Sequence, residues 1–192
     1  MKIKLLGFVL ITLLVSCQNE IIDNREDWVK EIDETIMAYE KTAKIESTKT
    51  LMENGIESVF DYYQKDSNGF QKIKGTYKDE FNLVDAILEL YVLNEEIVLE
   101  KMSGLFPLLY KGEKKEIDPC CELFNRFIYY KNSLEGKAYT KQLKIMNGKD
   151  KEKYINDLNM LPLIEEEGFN IANEYWRTKN QIKELKEEIK NN

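Results

Sequence analysis

Apolar residues along this chain recur mostly at spacings of three and four, the period of an α-helix that packs on one side. Over 23–45 this spacing predicts a helix, and Asp23 followed by Glu26 matches a capping box at its start. Its apolar positions are Trp28, Ile32, Ile36, Tyr39 and Ala43. Weaker or shorter repeats predict further helices over 51–65, 118–131, 137–146, 151–158 and 162–189. The pattern therefore favours a fold built from helices.

The segment 79–102 is the most apolar part of the chain after residue 16. Its apolar residues cover a wide arc when they are placed on a helix. A helix that is apolar over most of its circumference is packed on several sides. We therefore predict a central helix here, and Pro107 ends any continuation of it.

One stretch leaves two structures open. The turn signal Asn68-Gly69 separates "SVFDYYQ" from "FQKIKGTY", and both flanks carry residues that favour strands. The preferred prediction is a helix followed by a turn, and a minor β-hairpin near 59–77 is the alternative. The fold class is therefore all-α, a single-domain irregular helical bundle of about five to seven helices over 24–192.

The N-terminal segment has the layout of a targeting sequence. Lys2 and Lys4 precede an apolar run over 5–15, which is broken only by Gly7 and Thr12. A helix of that length is about 16 Å long, whereas a bilayer core is about 30 Å thick. The run is too short to span a membrane and is typical of a signal peptide.

The sequence Leu14-Val15-Ser16-Cys17 resembles the lipobox of bacterial lipoproteins. The resemblance implies removal of residues 1–16 and attachment of fatty acyl chains such as palmitate to Cys17. Residues 17–23 would then be a short tether, and several acyl chains would hold the protein on a membrane without another anchor. Gln18 resembles the residue that accompanies outer-membrane sorting in enterobacterial lipoproteins. We expect an envelope protein that faces the periplasm or the cell surface.

Charge and histidine content exclude several functions. Removal of residues 1–16 takes away two lysines and changes the formal net charge from −7 to −9, so nucleic acid is not an expected partner. The 192 residues contain no histidine, which excludes imidazole bases and most zinc or iron sites. No phosphate-binding glycine loop or EF-hand spacing is present, and we expect no cofactor and no metal.

Four acidic residues form the first candidate site. Asp85, Glu89, Glu96 and Glu100 are separated by four, seven and four positions, which would place them along one stripe of the predicted central helix. Such a stripe could bind a hard cation or hold a carboxylate pair for acid–base chemistry. The alternative is the solvated side of a largely buried helix, and this alternative is favoured.

Cys120 and Cys121 form the second candidate site. Adjacent Cα atoms are about 3.8 Å apart, below the usual span of a disulfide, so these residues are not expected to form a normal bridge with each other. They would lie in the first turn of the helix predicted after Asp118, where the helix dipole lowers a thiol pKa. Redox sensing is one role, and core packing is favoured.

These features predict binding rather than catalysis. The favoured function is a lipid-anchored envelope module that binds another protein, for instance as an inhibitor or immunity protein. The alternatives are an envelope glycan hydrolase that uses a carboxylate pair, and a carrier of an apolar ligand.

Overall fold

The computed structural model describes residues 23–53, 56–79, 85–108 and 119–190. Its centre is one antiparallel sheet of eight strands, in which each strand pairs with the strands before and after it in sequence. The strands are β1 Ile45–Glu53, β2 Ile56–Tyr63, β3 Phe70–Asp79, β4 Asp85–Leu93, β5 Glu96–Pro107, β6 Cys121–Tyr130, β7 Gly136–Ile145 and β8 Ile164–Glu165. The helices are α1 Asp27–Glu40, α2 Lys151–Met160 and α3 Ile171–Lys190, and a short 3-10 turn, Gly148–Asp150, precedes α2.

The all-α prediction is wrong, and so is the description of the chain as a helical bundle. The predicted central helix 79–102 is occupied by β4 and β5, which a turn at Asn94 and Glu95 connects. The segments predicted as helices over 118–131 and 137–146 contain β6 and β7. Helices do lie at α1, α2 and α3, inside or close to the segments predicted at 23–45, 151–158 and 162–189.

The error has a physical cause, since helices cover both faces of the sheet. Leu90 and Val92 of β4 belong to the core beneath α3, whereas Tyr91, between them, belongs to the core beneath α1. A strand that is buried on both faces loses the alternation of apolar and polar residues and becomes an apolar run. A buried helix would show the same kind of apolar run, so the sequence pattern does not distinguish the two.

The alternative of a β-hairpin near 59–77 is correct. Strands β2 and β3 pair with Tyr62 opposite Ile73, and the connection contains the predicted turn residues. Asp66 Oδ1 accepts hydrogen bonds from the backbone N–H groups of Asn68 (2.9 Å) and Phe70 (2.7 Å). Gly69 has φ +88°, a left-handed conformation that glycine adopts at little cost.

Helix α1 packs on one face of the sheet through Val29, Ile36 and Tyr39. The last residue of α1, Glu40, contacts Lys72 of β3, which is 5% exposed. Lys72 Nζ lies 2.7 Å from Glu40 and 2.6 Å from Glu89. Burial alone would raise the pKa of Glu89, but hydrogen bonds from Lys72 and Lys101 hold that pKa below its usual value. A buried cation with two carboxylate partners therefore connects α1 to β3 and β4.

Helix α3 packs on the opposite face. Its buried positions Tyr175, Thr178 and Ile182 have spacings of three and four, whereas Trp176 is 51% exposed. The core beneath α3 includes side chains from β2 to β7, so the helix crosses most of the sheet. No helix in the described ranges is long and apolar enough to cross a membrane.

The turn between β4 and β5 places two non-glycine residues at positive φ, Asn94 at 49° and Glu95 at 71°. These angles are close to the left-handed region that a two-residue hairpin turn requires at both positions. Asparagine tolerates this conformation, whereas in glutamate the Cβ atom is crowded by the backbone and the conformation costs free energy.

We expect Glu95→Gly to raise the free energy of unfolding by about 1 kcal/mol, because glycine enters the left-handed region without the Cβ penalty. Urea denaturation followed by circular dichroism measures the change. The control is Glu57→Gly at an exposed position of β2, where glycine should lower stability by about 0.5–1 kcal/mol. A loss of stability in Glu95→Gly as large as that in the control would contradict the assigned turn.

Candidate functional site

The four acidic candidates do not form one stripe, because they lie on two strands instead of one helix. Asp85 and Glu89 belong to β4, and Glu96 and Glu100 belong to β5. Each carboxylate has a cationic partner. The pairs are Asp85 with Lys151, Glu89 with Lys72 and Lys101, Glu96 with Lys179, and Glu100 with Arg177. The favoured alternative, in which these residues form the solvated side of a buried helix, is also wrong because the segment contains two strands.

Glu100 differs from the other three because it is 2% exposed. The hydroxyl of Thr178 on α3 donates to its Oε2 at 2.6 Å, and the hydroxyl of Tyr130 on β6 donates to the same oxygen at 3.3 Å. Arg177 Nη2 donates to Oε1 at 3.2 Å. Three donors from two elements thus stabilise one buried carboxylate, as a charge removed from water requires.

Arg177 connects this buried carboxylate to the surface. Its side chain is 43% exposed, and its Nη2 also forms a hydrogen bond with Glu174 one turn earlier. Burial alone would lower the pKa of Arg177, but the bond to Glu174 and the charge of Glu100 raise it above its usual value. Burial and the charge of Glu100 also raise the pKa of Tyr130 far above its usual value, so this hydroxyl remains a donor.

An open groove of about 320 Å³ begins beside Glu100, between α3 and the sheet; we call it the α3 groove. Its apolar walls come from β2, β3, β4 and β5, and its polar residues are Glu100, Arg177 and Gln181. The apolar lining residues include Ile56, Tyr77, Ala86, Leu88, Met102 and Phe106. This combination of apolar walls and a few convergent polar groups is typical of small-ligand sites.

The charges beside the groove do not cancel. Glu100 and Arg177 line the groove, and Glu174, which does not line it, shares the guanidinium of Arg177. The three groups together carry one formal negative charge. A ligand end that is neutral or cationic is therefore favoured at this position over a carboxylate or phosphate.

The structure bonds Cys120 and Cys121 to each other as a disulfide, with Cα atoms 3.7 Å apart. This Cα separation is below the usual span of a disulfide, so the expectation that the pair would not form a bridge of normal geometry is not contradicted. The pair precedes and starts β6, so the argument from a helix dipole does not apply. Cys121 is 9% exposed and packs with Leu105, Leu123 and Leu158, which agrees with the favoured packing role.

Two further sequence predictions concern the anchor and a metal. Cys17 lies outside the described residues, so its lipidation stays a prediction. Within the described ranges, histidine, cysteine and acidic side chains form no group of three or more that could hold a metal ion. Comparisons with protein-family models, with curated proteins and with solved structures each found no match.

Sequence reasoning selected Glu100 but missed its partners. Thr178 and Arg177 lie 78 and 77 positions away along the chain, so no local spacing connects them to Glu100. One available signal was the run Tyr175, Thr178, Ile182 and Leu185, which places a threonine in the middle of an apolar helix stripe. A polar residue at such a position needs a partner in the surface that it packs against.

We expect Glu100→Ala to lower the free energy of unfolding by about 3 kcal/mol, because the buried hydroxyls of Thr178 and Tyr130 lose their acceptor. Thr178→Val keeps the side-chain shape, removes one donor and should cost about 1 kcal/mol. Urea denaturation measures both changes. Glu184→Ala, at an exposed position of the same helix, is the control and should stay within about 0.5 kcal/mol of wild type. A loss in Glu100→Ala no larger than the control would contradict the role of the carboxylate.

Proposed function

We propose that this protein binds an elongated apolar ligand with a neutral or cationic polar end, and that it does so while tethered to a membrane of the bacterial envelope through Cys17. The ligand would lie in the α3 groove with its polar end towards Glu100. The observation that carries this proposal is a groove of about 320 Å³ with mostly apolar walls, lined also by a buried carboxylate that accepts three hydrogen bonds. Of the functions considered from the sequence, the apolar carrier gains the most support.

Within the α3 groove, the geometry favours binding over catalysis. A glycan hydrolase needs two carboxylates about 5 to 9.5 Å apart in one cleft. Among the described residues that line the α3 groove, Glu100 is the single carboxylate, and its oxygens are already engaged by Thr178, Tyr130 and Arg177. A carboxylate that is held in this way can orient a ligand by charge without transferring a proton.

A binding assay tests the groove directly. The neutral fluorescent dye phenylnaphthylamine should bind the wild-type protein and gain fluorescence, because the groove excludes water from the dye. Decylammonium should displace it at the lowest concentration, decanol at a higher one, and decanoate should require about tenfold more than decylammonium because of the negative charge beside Arg177. Met102→Trp should abolish dye binding, since the larger ring fills the groove beside β5.

The matched control is Met52→Trp, which makes the same substitution at a residue of β1 that is 69% exposed and lies outside the groove lining. It should bind the dye like wild type. Equal dye binding by Met102→Trp and the control would contradict the groove as the site. Tighter binding of decanoate than of decylammonium would contradict the assigned role of Glu100 and Glu174.

The anchor rests on the order of sequence features: a basic start, a short apolar run, the small residue Ser16 and then Cys17. We expect the full chain, expressed in a bacterium with lipoprotein processing, to lose residues 1–16 and gain acyl chains at Cys17. Cys17→Ala should abolish both changes, because the thiol accepts the diacylglyceryl group that precedes cleavage and acylation of the new amino terminus. Intact-protein mass spectrometry and membrane flotation measure the outcome. Acyl chains on the Cys17→Ala protein would contradict this assignment.

A protein partner, the function favoured from the sequence, stays a prediction, and one observation suggests which surface to test. Strand β1 pairs with β2 on one side and forms an edge of the sheet. Ile45 and Met52 on this strand are 51% and 69% exposed. An exposed edge can accept a strand from another protein, so a partner segment could extend the sheet at β1.

A further inference from the structure

An apolar segment lies exposed between α2 and α3. Met160 and Ile164 are 74% and 63% exposed, Leu161 is 36% exposed, and Pro162 between them is also exposed. Leu163 is half-buried and packs against the core beneath α1, which holds the segment in place. We call Met160, Leu161, Pro162 and Ile164 the edge patch. Exposed apolar residues that are grouped in this way mark a contact surface.

The edge patch adjoins the point where the described chain begins. A groove of about 530 Å³ is lined by Asp23 and Arg25 together with Leu163 and two residues of the edge patch, Leu161 and Pro162. Arg25 fixes this beginning of the chain. Its guanidinium lies 2.7 Å from Asp23 and 2.8 Å from Asp33, and it donates to the hydroxyl of Tyr129 at 3.0 Å.

The contacts of Arg25 attach this part of the chain to the domain. Its ion pair with Asp23 is local, because the two residues are two positions apart, and the hydrogen bond from Arg25 lowers the pKa of Asp23 to about 2. The bonds from Arg25 to Asp33 on α1 and to Tyr129 on β6 hold the entry of the chain beside the groove that Leu161 and Pro162 of the edge patch line.

The length of chain between Cys17 and Asp23 limits where a membrane could lie. Six residue steps span at most about 20 Å even when the chain is fully extended. The eight-stranded sheet has β1 and β8 at its two edges, and seven strand spacings of about 4.8 Å each separate them along the sheet. A lipid attached at Cys17 therefore places the membrane close to the β8 edge.

We propose that the edge patch is the membrane-facing surface of this protein, and that Met160, Leu161 and Ile164 rest in the outer part of the lipid layer. This inference depends on the lipid anchor at Cys17 and is independent of the ligand in the α3 groove. The occupant is a lipid surface because the tether is too short for the patch to lie far from it. A partner protein or a second copy of the chain would have to enter this narrow space.

The charges near the edge patch define the kind of lipid contact. Asp157, Glu165 and Glu167 are exposed near the patch. The cations beside them are half-buried and engaged, because Lys137 pairs with Glu165 and Lys141 donates to the carbonyl of Asn159. Carboxylates at these positions give no attraction to anionic headgroups, so the contact depends on apolar side chains that enter a zwitterionic layer. The patch adds to an anchor that the acyl chains already supply, and it orients the domain on the membrane.

The test uses lipidated full-length protein in vesicles of zwitterionic phosphatidylcholine. Single cysteines at Met160→Cys and Ile164→Cys receive a nitroxide label, and Met52→Cys on β1 is the control with a similar exposed fraction of 69%. Because Cys120 and Cys121 are bonded to each other and Cys17 carries the lipid, the introduced thiol is the reactive one. Electron paramagnetic resonance then compares collisions of each label with oxygen, which enters lipid, and with a water-soluble nickel chelate.

We expect the ratio of oxygen to nickel collisions to be several-fold higher at positions 160 and 164 than at position 52. Removal of the vesicles with detergent should bring the three positions to similar values. Equal oxygen-to-nickel ratios at positions 160, 164 and 52 in vesicles would overturn the proposal that the edge patch faces the membrane, without affecting the proposed lipid anchor. Labels at 160 and 164 that are shielded from both reagents would overturn it in favour of a protein contact. A protein whose mass shows no acyl chains at Cys17 would overturn the anchor and this inference together, and dye binding would still test the groove.

Discussion

The buried carboxylate of Glu100 is the constraint on which the arrangement of α3 depends. Apolar contacts from Tyr175 and Ile182 bury surface, but such contacts are not directional and allow a helix to shift along a sheet. A charge without water tolerates no such shift, because it must keep its donors. Thr178 from α3 and Tyr130 from β6 donate to Glu100 of β5, so the helix has one favoured position on the sheet. The α3 groove is the space beside that position, and the same carboxylate is one of its lining groups.

The other helices are connected to the sheet by the same means. Glu40 at the end of α1 pairs with Lys72 of β3, and Lys151 at the start of α2 pairs with Asp85 of β4. The carboxylates of β4 and β5 were predicted to form one acidic stripe. In the structure they take part in the ion pairs and hydrogen bonds that connect helices to both faces of the sheet. The two proposed sites lie in different parts of the molecule. The α3 groove, proposed to bind a ligand, is on the α3 face, whereas the edge patch, proposed to face the membrane, adjoins the segment before α1 at the β8 edge.

The sequence predicts part of this structure, and the limits have identifiable causes. The helices α1, α2 and α3 each have apolar residues on one side, so their spacing is informative. Strands β4 and β5 are covered on both faces, and their turn uses Asn94 and Glu95 without a glycine, so neither the alternation nor the hairpin signal is present. Where Asn68-Gly69 does give a hairpin signal, the hairpin exists. Arg177 and Thr178, the helix partners of Glu100, lie 77 and 78 positions later in the sequence. A contact between residues so far apart cannot be recognised from the local spacing of residue types.

The most direct test of the account is to locate a bound ligand by nuclear magnetic resonance. Decylammonium labelled with carbon-13 would be added to the protein, and intermolecular nuclear Overhauser effects would be recorded. We expect contacts from the alkyl chain to the methyl groups of Leu88 and Met102, and contacts from the carbon next to the ammonium to Arg177 and Gln181, the polar groove residues on α3. Contacts confined to residues outside the groove, such as Met52 on β1, or an alkyl chain that leaves Leu88 and Met102 unaffected at saturation, would contradict it.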